Sequence, residues 1–231
     1  MENKNQSTGT LSIVATPIGN LQDITFRAIE TLRRADLILC EDTRVTKKIL
    51  SSYGMQNPTQ SFHTHSHDAK LNKIIENLRQ GMHIAYVSDA GTPGISDPGP
   101  FLVRRVQEML PEVIIEAIPG PDAVSAALSI AGVVFKNYVF LGFIPQKKGR
   151  ETFLKSLNSQ EYDIFVFFES SHRIKKLMDQ LQKHLEVDRS VTLVKEISKI
   201  HERVLRGSPA ELSLKLEEKP ELQKGEFVVI V

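Results

Sequence analysis

Along the chain, short apolar runs alternate with segments whose apolar residues recur three and four positions apart. Four runs in the first half read as strands: Leu11 to Ala15, Leu37 to Cys40, Ile84 to Val87 and Val113 to Ala117. Between them, helical spacing is carried by Phe26, Ile29 and Leu32, by the stretch from Thr43 to Tyr53, by Leu71, Ile74, Ile75 and Leu78, and by Leu102, Val106 and Met109. Asp23 or Thr25 can cap the first of these helices, and Gly81 ends the third. Strand and helix in alternation predict parallel pairing with right-handed crossovers.

Beyond Gly132 the pattern changes. Strand-like runs occur at Tyr138 to Leu141, Ile164 to Phe168, Ser190 to Val194, Glu202 to Leu205 and Glu226 to Val231, with helices over 151–157, 174–185 and 210–216. Neighbouring strands joined by short loops, as around Ser198 to His201, predict antiparallel or mixed pairing. The helix after Pro121 is rich in small residues (Ala123, Ser125, Ala126, Ala127, Ala131), which predicts close packing at a domain junction. The expected fold class is α/β with two α/β domains, a mainly parallel sheet in the first and a mixed or antiparallel sheet in the second. The expected boundaries are a flexible N-terminus over 1–10, an N-terminal domain over 11–122 and a C-terminal domain over 123–231.

Composition narrows the class. With 231 residues and 41% hydrophobic content the chain can build a proper core. Its 29 Lys+Arg against 28 Asp+Glu leave no global basic field. The single cysteine, Cys40, lies in an apolar run and reads as a buried small hydrophobe in a reducing compartment. No apolar run approaches the roughly 18 residues of a membrane span, and the N-terminal stretch has no apolar signal core, so a soluble cytoplasmic protein is expected.

Three strands run directly into Gly/Pro loops: Thr16-Pro17-Ile18-Gly19-Asn20, Ser88 to Gly99, and Pro119-Gly120-Pro121-Asp122. Proline fixes φ and glycine lets backbone approach a ligand, so such loops hold a cavity in one shape. Ligands of parallel sheets bind outside the carboxyl ends of the strands, which predicts that the three loops line one crevice. Neither the Gly-x4-Gly-Lys-Ser/Thr nor the Gly-x-Gly-x-x-Gly phosphate motif occurs. The loops instead carry Asp89, Asp97 and Asp122, which suit a ligand with a cationic and a hydroxyl-bearing part, such as S-adenosylmethionine.

Several strings together carry a resemblance: Thr16 to Leu21, Cys40-Glu41-Asp42-Thr43-Arg44, Ser61-Phe62-His63, Val87 to Gly99, Ile118 to Pro121, Gly142-Phe143-Ile144-Pro145 and Lys195 to Lys199. From Leu11 to Val231 the chain resembles the 16S rRNA (cytidine-2′-O)-methyltransferases of the tetrapyrrole methylase superfamily. The resemblance implies a class III methyltransferase with S-adenosylmethionine in a cleft between two α/β domains, a homodimer, and a decoding-centre cytidine of 16S rRNA in the small ribosomal subunit as target. It implies cofactor binding by Pro17, Asp89, Ala90, Gly91, Ile95, Pro119, Gly120, Ser125 and Phe143. Glu169-Ser170-Ser171-His172-Arg173 departs from the family's Glu-Ser-Pro-His-Arg at Ser171, and the small helical C-terminal extension of many members is absent from this sequence.

Attack of a ribose hydroxyl on a sulfonium methyl calls for a base and strict alignment. The candidates are Glu41, Asp42, Arg44, His63, Lys195 and Glu196; for Glu41 and Asp42 a helix N-terminal pair favoured by the dipole is the other reading. Lys195 and Glu196 are open to a purely structural ion pair. Lys147, Lys148 and Arg150 are placed to clasp RNA phosphates, or else to start a solvated helix. His63-x-His65-x-His67 has a spacing that can bind zinc, with Asp68 as a possible further ligand, but the polar surroundings favour a solvated loop and no metal is expected. Two other functions fit the same chain: a tetrapyrrole or other small-molecule methylase, and a non-catalytic RNA-binding module of ribosome assembly.

Overall fold

A computed structural model of the protein describes residues 9–63, 68–186 and 189–231. The chain divides into two compact units, Met1–Asp122 and Ala123–Val231. The first unit holds strands β1 (Thr10–Val14), β2 (Leu37–Cys40), β3 (Thr59–Ser61), β4 (His83–Val87) and β5 (Ile114–Ile118). They form one sheet in the order β3-β2-β4-β1-β5, every pair parallel. Helices α1 (Phe26–Arg34), α2 (Thr43–Ser52), α3 (Asp68–Arg79) and α4 (Gly99–Met109) make the crossovers.

The central strands are buried on both faces, which explains why β2 and β4 read as continuous apolar runs rather than alternating ones. One face packs Leu11, Leu39, Ile84 and Tyr86 against Leu71, Leu78, Leu102 and Val106 of α3 and α4. The other packs Val14, Ile38, Cys40 and Val87 against Ala28, Leu32 and Leu50 of α1 and α2. Cys40 is buried, and burial pushes its thiol up. The cap of α1 is Thr25, whose Oγ1 accepts the Ala28 N–H at 3.1 Å.

The second unit begins with α5 (Ala123–Ile130) and contains β6 (Tyr138–Phe143), α6 (Arg150–Ser156), β7 (Ile164–Ser170), α7 (Ile174–His184), β8 (Val191–Lys195), β9 (Arg203–Gly207), α8 (Pro209–Glu218) and β10 (Glu226–Ile230). Its sheet runs β6-β7-β10-β8-β9, with β6 and β7 parallel and the remaining pairs antiparallel, a mixed sheet. Helix α5 lies on this unit's own sheet: Val124 and Ala127, with Ala131 just past its end, pack against Val166, Val194, Val228 and Ile230, while Ser125 is exposed. On the opposite face α6, α7 and α8 cover Phe165, Phe167, Leu193 and Val229. Among the described residues no helix is long and apolar enough to cross a membrane.

Candidate active site

The three Gly/Pro loops are knit together at the carboxyl edge of the parallel sheet. Thr16 and Gly91 exchange backbone hydrogen bonds at 3.0 and 3.1 Å, an isolated antiparallel bridge between the first and second loops. The Thr92 hydroxyl donates to the Pro121 carbonyl at 3.0 Å and ties the second loop to the third. Gly91 sits at φ +80°, and a Cβ there would lie 3.2 Å from Ile18 Cγ2 and 3.6 Å from the Pro121 carbonyl oxygen. At Gly120 a Cβ would come within 2.9 Å of Ala15 Cβ. Glycine suits both junctions, so the loops close on one another without a side chain between them.

The second loop is braced from within by Asp97. Its carboxylate accepts from the Gly94 N–H (2.6 Å), the Gly99 N–H (2.8 Å) and the hydroxyl of buried Tyr86 (3.0 Å). Burial, together with the Asp97 carboxylate, pushes the Tyr86 hydroxyl far above its ordinary value, so it stays a donor. A reading by motif alone names Asp97 only as one acid among three. Its structural signal is the Ser-Asp-Pro-Gly string, in which an aspartate reaches forward to a backbone N–H two residues on.

A cavity of about 410 Å³ opens beside this loop, lined by Glu41, His63, Gly94, Ile95, Ser96, Asp97, Pro98 and Pro100. Glu41 comes from the end of β2 and His63 follows β3, so adjacent parallel strands deliver both to one place. Glu41 Oε1 accepts the Asp89 N–H at 3.3 Å, and Asp89 Oδ1 accepts the Asp42 N–H at 3.0 Å, a reciprocal clamp between the β2 and β4 loops. Burial pushes the Glu41 carboxyl above its ordinary value. Repulsion from Asp89 and Asp97 adds to this, while the Asp89 N–H and His63 oppose it.

The other catalytic candidates stand elsewhere. Asp42 caps α2, accepting the Arg44 N–H at 2.8 Å and the Arg44 guanidinium at 2.7 Å, which hold its carboxyl down to about 2. Arg44 points outward with its side chain 86% exposed. Lys195 is buried at the end of β8 in the second unit. Glu196 follows at φ 51°, where its Oε1 accepts from the Glu226 N–H (2.9 Å) and Lys199 Nζ (3.0 Å). Burial favours its neutral form, but these two donors outweigh it and hold the carboxyl below its ordinary value.

Of the expected ligand contacts, Pro17, Asp89, Ala90, Gly91, Ile95, Pro119 and Gly120 all fall in the knitted loops of the first unit. Ser125 lies on α5 and Phe143 ends β6, both in the second unit. The Phe143 ring is 59% exposed and packs edge-on to Phe168 at 5.3 Å. Lys147 and Lys148 are exposed. Arg150, expected with them at the surface, is instead only 7% exposed: its Nε donates to Gln180 Oε1 (2.8 Å), its Nη1 to the Pro145 carbonyl (3.0 Å), and Glu169 faces it at 3.6 Å. A guanidinium placed first in a short helix and turned inward meets the carboxylate at the end of β7 before it meets solvent. The zinc spacing falls largely on His65 and His67, outside the described residues. Among the described residues no group of three or more His, Cys, Asp or Glu could hold a metal ion.

A parallel sheet edged by interlocked Gly/Pro loops, followed by a unit built on a mixed sheet, is the architecture of the tetrapyrrole methylase class. The profile of the Tetrapyrrole (Corrin/Porphyrin) Methylases matches residues 10–213. The fold is that of uroporphyrin-III-C-methyltransferase from Thermus thermophilus (TM-score 0.64, 17% identity, covering 96% of this chain and 94% of that one). It is also that of the methyltransferase CobJ (TM-score 0.67, 16% identity, 96% and 93%). In sequence the chain is 43% identical over 228 residues to the ribosomal RNA small subunit methyltransferase I of Pasteurella multocida (strain Pm70), covering 98% of this chain and 80% of the relative. It is 42% identical over 225 residues to the protein of the same name from Thermotoga maritima, covering 96% and 98%. The chain belongs to the tetrapyrrole methylase family, within the branch whose members carry that name. It is an S-adenosylmethionine-dependent methyltransferase.

The loop edge suits that cofactor. Gly120 is exposed, so a ligand can approach its backbone, whereas the Gly91 N–H and carbonyl are taken by Thr16; Asp89 keeps Oδ2 without a partner among the described residues. A carboxylate oxygen with no donor of its own matches an ammonium or a ribose hydroxyl, and would repel phosphate.

Proposed function

We propose that the protein methylates the ribose 2′-hydroxyl of a decoding-centre cytidine in the 16S rRNA of the small ribosomal subunit. The observation that carries the reaction is the cavity at the carboxyl edge of the parallel sheet, where Glu41 and His63 share a wall. The names of the relatives support rRNA as the acceptor. When bound, S-adenosylmethionine supplies an electrophilic methyl group. Pro17, Asp89, Ala90, Gly91, Ile95, Pro119 and Gly120 of the first unit would hold it.

Glu41 would take the proton of the ribose hydroxyl that receives this methyl group. A carboxylate raised above its ordinary value is the better base, which separates Glu41 from Asp42 and Glu196. His63, across the same cavity, orients the ribose. Lys147 and Lys148 contact the RNA, and Lys195 and Glu196 shape the turn after β8. The protein works as a homodimer in the cytoplasm, where its substrate is assembled.

The acceptor class is tested by offering tritiated S-adenosylmethionine with three acceptors: unmodified small subunits, naked 16S rRNA and a reduced uroporphyrin. Label entering the rRNA and not the tetrapyrrole is the expected result. Label in the tetrapyrrole would make the protein a small-molecule methylase. Binding to subunits with no transfer to any acceptor would make it an assembly factor.

A further inference from the structure

Strands β6 and β7 are adjacent and parallel, with Tyr138 opposite Ile164 and Phe143 opposite Phe168. Their carboxyl ends therefore emerge at one edge of the second unit, followed by the segments 144–149 and 171–173. Under this edge lies a buried ion cluster. Glu169, its side chain wholly buried, receives Arg173 Nε at 2.5 Å and faces Arg150 Nη1 at 3.6 Å. Arg150 in turn grips Pro145 and Gln180, so the start of the β6–α6 loop is fastened to its end and to α7.

Above the cluster the charge is one-sided. The ammonium groups of Lys147 and Lys148 have no carboxylate partner among the described residues, and exposed His172 adds a third polar head. Arg173 spends Nε on Glu169, while its terminal nitrogens have no partner among the described residues and its side chain is 24% exposed. The acid next along the chain, Glu151, is paired with Lys155 at 2.8 Å. Glu169 is beneath the surface and already faced by two guanidinia. An isolated buried ion cluster contributes little to stability, since desolvation offsets most of the attraction, but it fixes geometry. A loop tied at both ends, with its lysines unpaired, is arranged to meet an external polyanion.

We propose that the carboxyl edge of β6 and β7 is a phosphate-binding face for the rRNA strand, with Lys147, Lys148 and Arg173 taking phosphates and the buried Arg150–Glu169 pair acting as a positioning device that never touches the RNA. The proposal rests on the rRNA reading and adds to it the surface and the brace. Phosphate contacts set register and orientation without reading sequence, which is what a face of unpaired cations can supply. A planar guanidinium presents two donors to a phosphate, so Arg173 orients where the lysines only attract.

The test measures binding of fluorescently labelled protein to unmodified small subunits across a salt series. Each lost phosphate contact should lower the magnitude of the slope of log K against log salt by about 0.7–0.9. Lys147→Ala/Lys148→Ala should therefore flatten the slope by about 1.5 and weaken binding ~10-fold at low salt, and Lys147→Arg/Lys148→Arg should keep it. Arg150→Lys should flatten the slope too, and adding it to the double alanine variant should produce no further change. Where Arg150→Lys lowers the melting temperature, the exposed lysine variants still decide the outcome. A wild-type slope in the double alanine variant, or additive effects of Arg150→Lys and the lysine changes, would overturn the proposal. Absence of both subunit binding and methyl transfer in the wild type would instead remove the rRNA reading itself.

Discussion

Glu41 and Asp42 are consecutive carboxylates at the end of one strand, and the protein uses them in opposite ways. Asp42 faces the first turn of α2, where the Arg44 N–H and guanidinium lock it in the charged form. Glu41 turns to the cavity, loses water and is pushed up. Paired acids whose environments drive them apart mark a division of labour. The sequence shows the pair, the nearby arginine and the strand end, but which acid caps and which faces the ligand depends on side-chain direction at a β–α junction, and no spacing encodes that. Replacing Glu41 by Gln should lower kcat by about 10²-fold or more. The base works only when ionised, so wild-type rate falls as pH drops through the raised Glu41 value, and the Gln variant should lose that acid limb. A pH profile of single-turnover transfer checks this; an unchanged limb in the Gln variant would place the base elsewhere.

Among the elements, the long strands and helices are legible because both faces of the parallel strands are buried and the helices keep strict apolar spacing. Strand β3 is the exception. Its three residues, Thr59-Gln60-Ser61, are polar and half-buried at the sheet edge, so they show neither an apolar run nor alternation. It pairs with β2 all the same, in register from Ile38 opposite Thr59 to Cys40 opposite Ser61, and this pairing brings His63 to the cavity. Resemblance flagged Ser61-Phe62-His63 without a structural reason, and the edge strand supplies one. The small-residue helix α5 is a second case: its composition does not name the strands of its own unit that Val124 and Ala127 pack against. Cap chemistry is the most local prediction. Thr25→Ala, which removes the acceptor for the Ala28 N–H, should cost about 1 kcal/mol. For a chain of this size that is a fall in Tm of about 2–4 °C, measurable by calorimetry.

At the scale of the molecule, two differently built sheets divide the work. The parallel sheet of the first unit gathers three loops into one edge, and these are joined by the Thr16–Gly91 bridge and the Thr92–Pro121 hydrogen bond. The mixed sheet of the second unit retains one parallel pair, β6 and β7, and sets cations beyond its carboxyl ends. The switch from regular alternation to closely spaced strands is visible in the sequence beyond Gly132. Burial of Arg150 is not, because a basic residue within a Lys-Lys-Gly-Arg string carries no mark of the distant Glu169 and Gln180 that draw it inward.

The central claim is that the methyl group goes to a ribose 2′-oxygen of one rRNA cytidine. It is tested most directly by treating unmodified small subunits with the protein and S-adenosylmethionine, then hydrolysing the rRNA in alkali. A 2′-O-methyl group removes the internal nucleophile that alkaline cleavage requires, so a single alkali-resistant link should appear 3′ of one cytidine in the decoding centre. It should depend on the wild-type protein and be strongly reduced with the Glu41→Gln variant. Methyl label on a base, with every link still cleaved, would contradict the account.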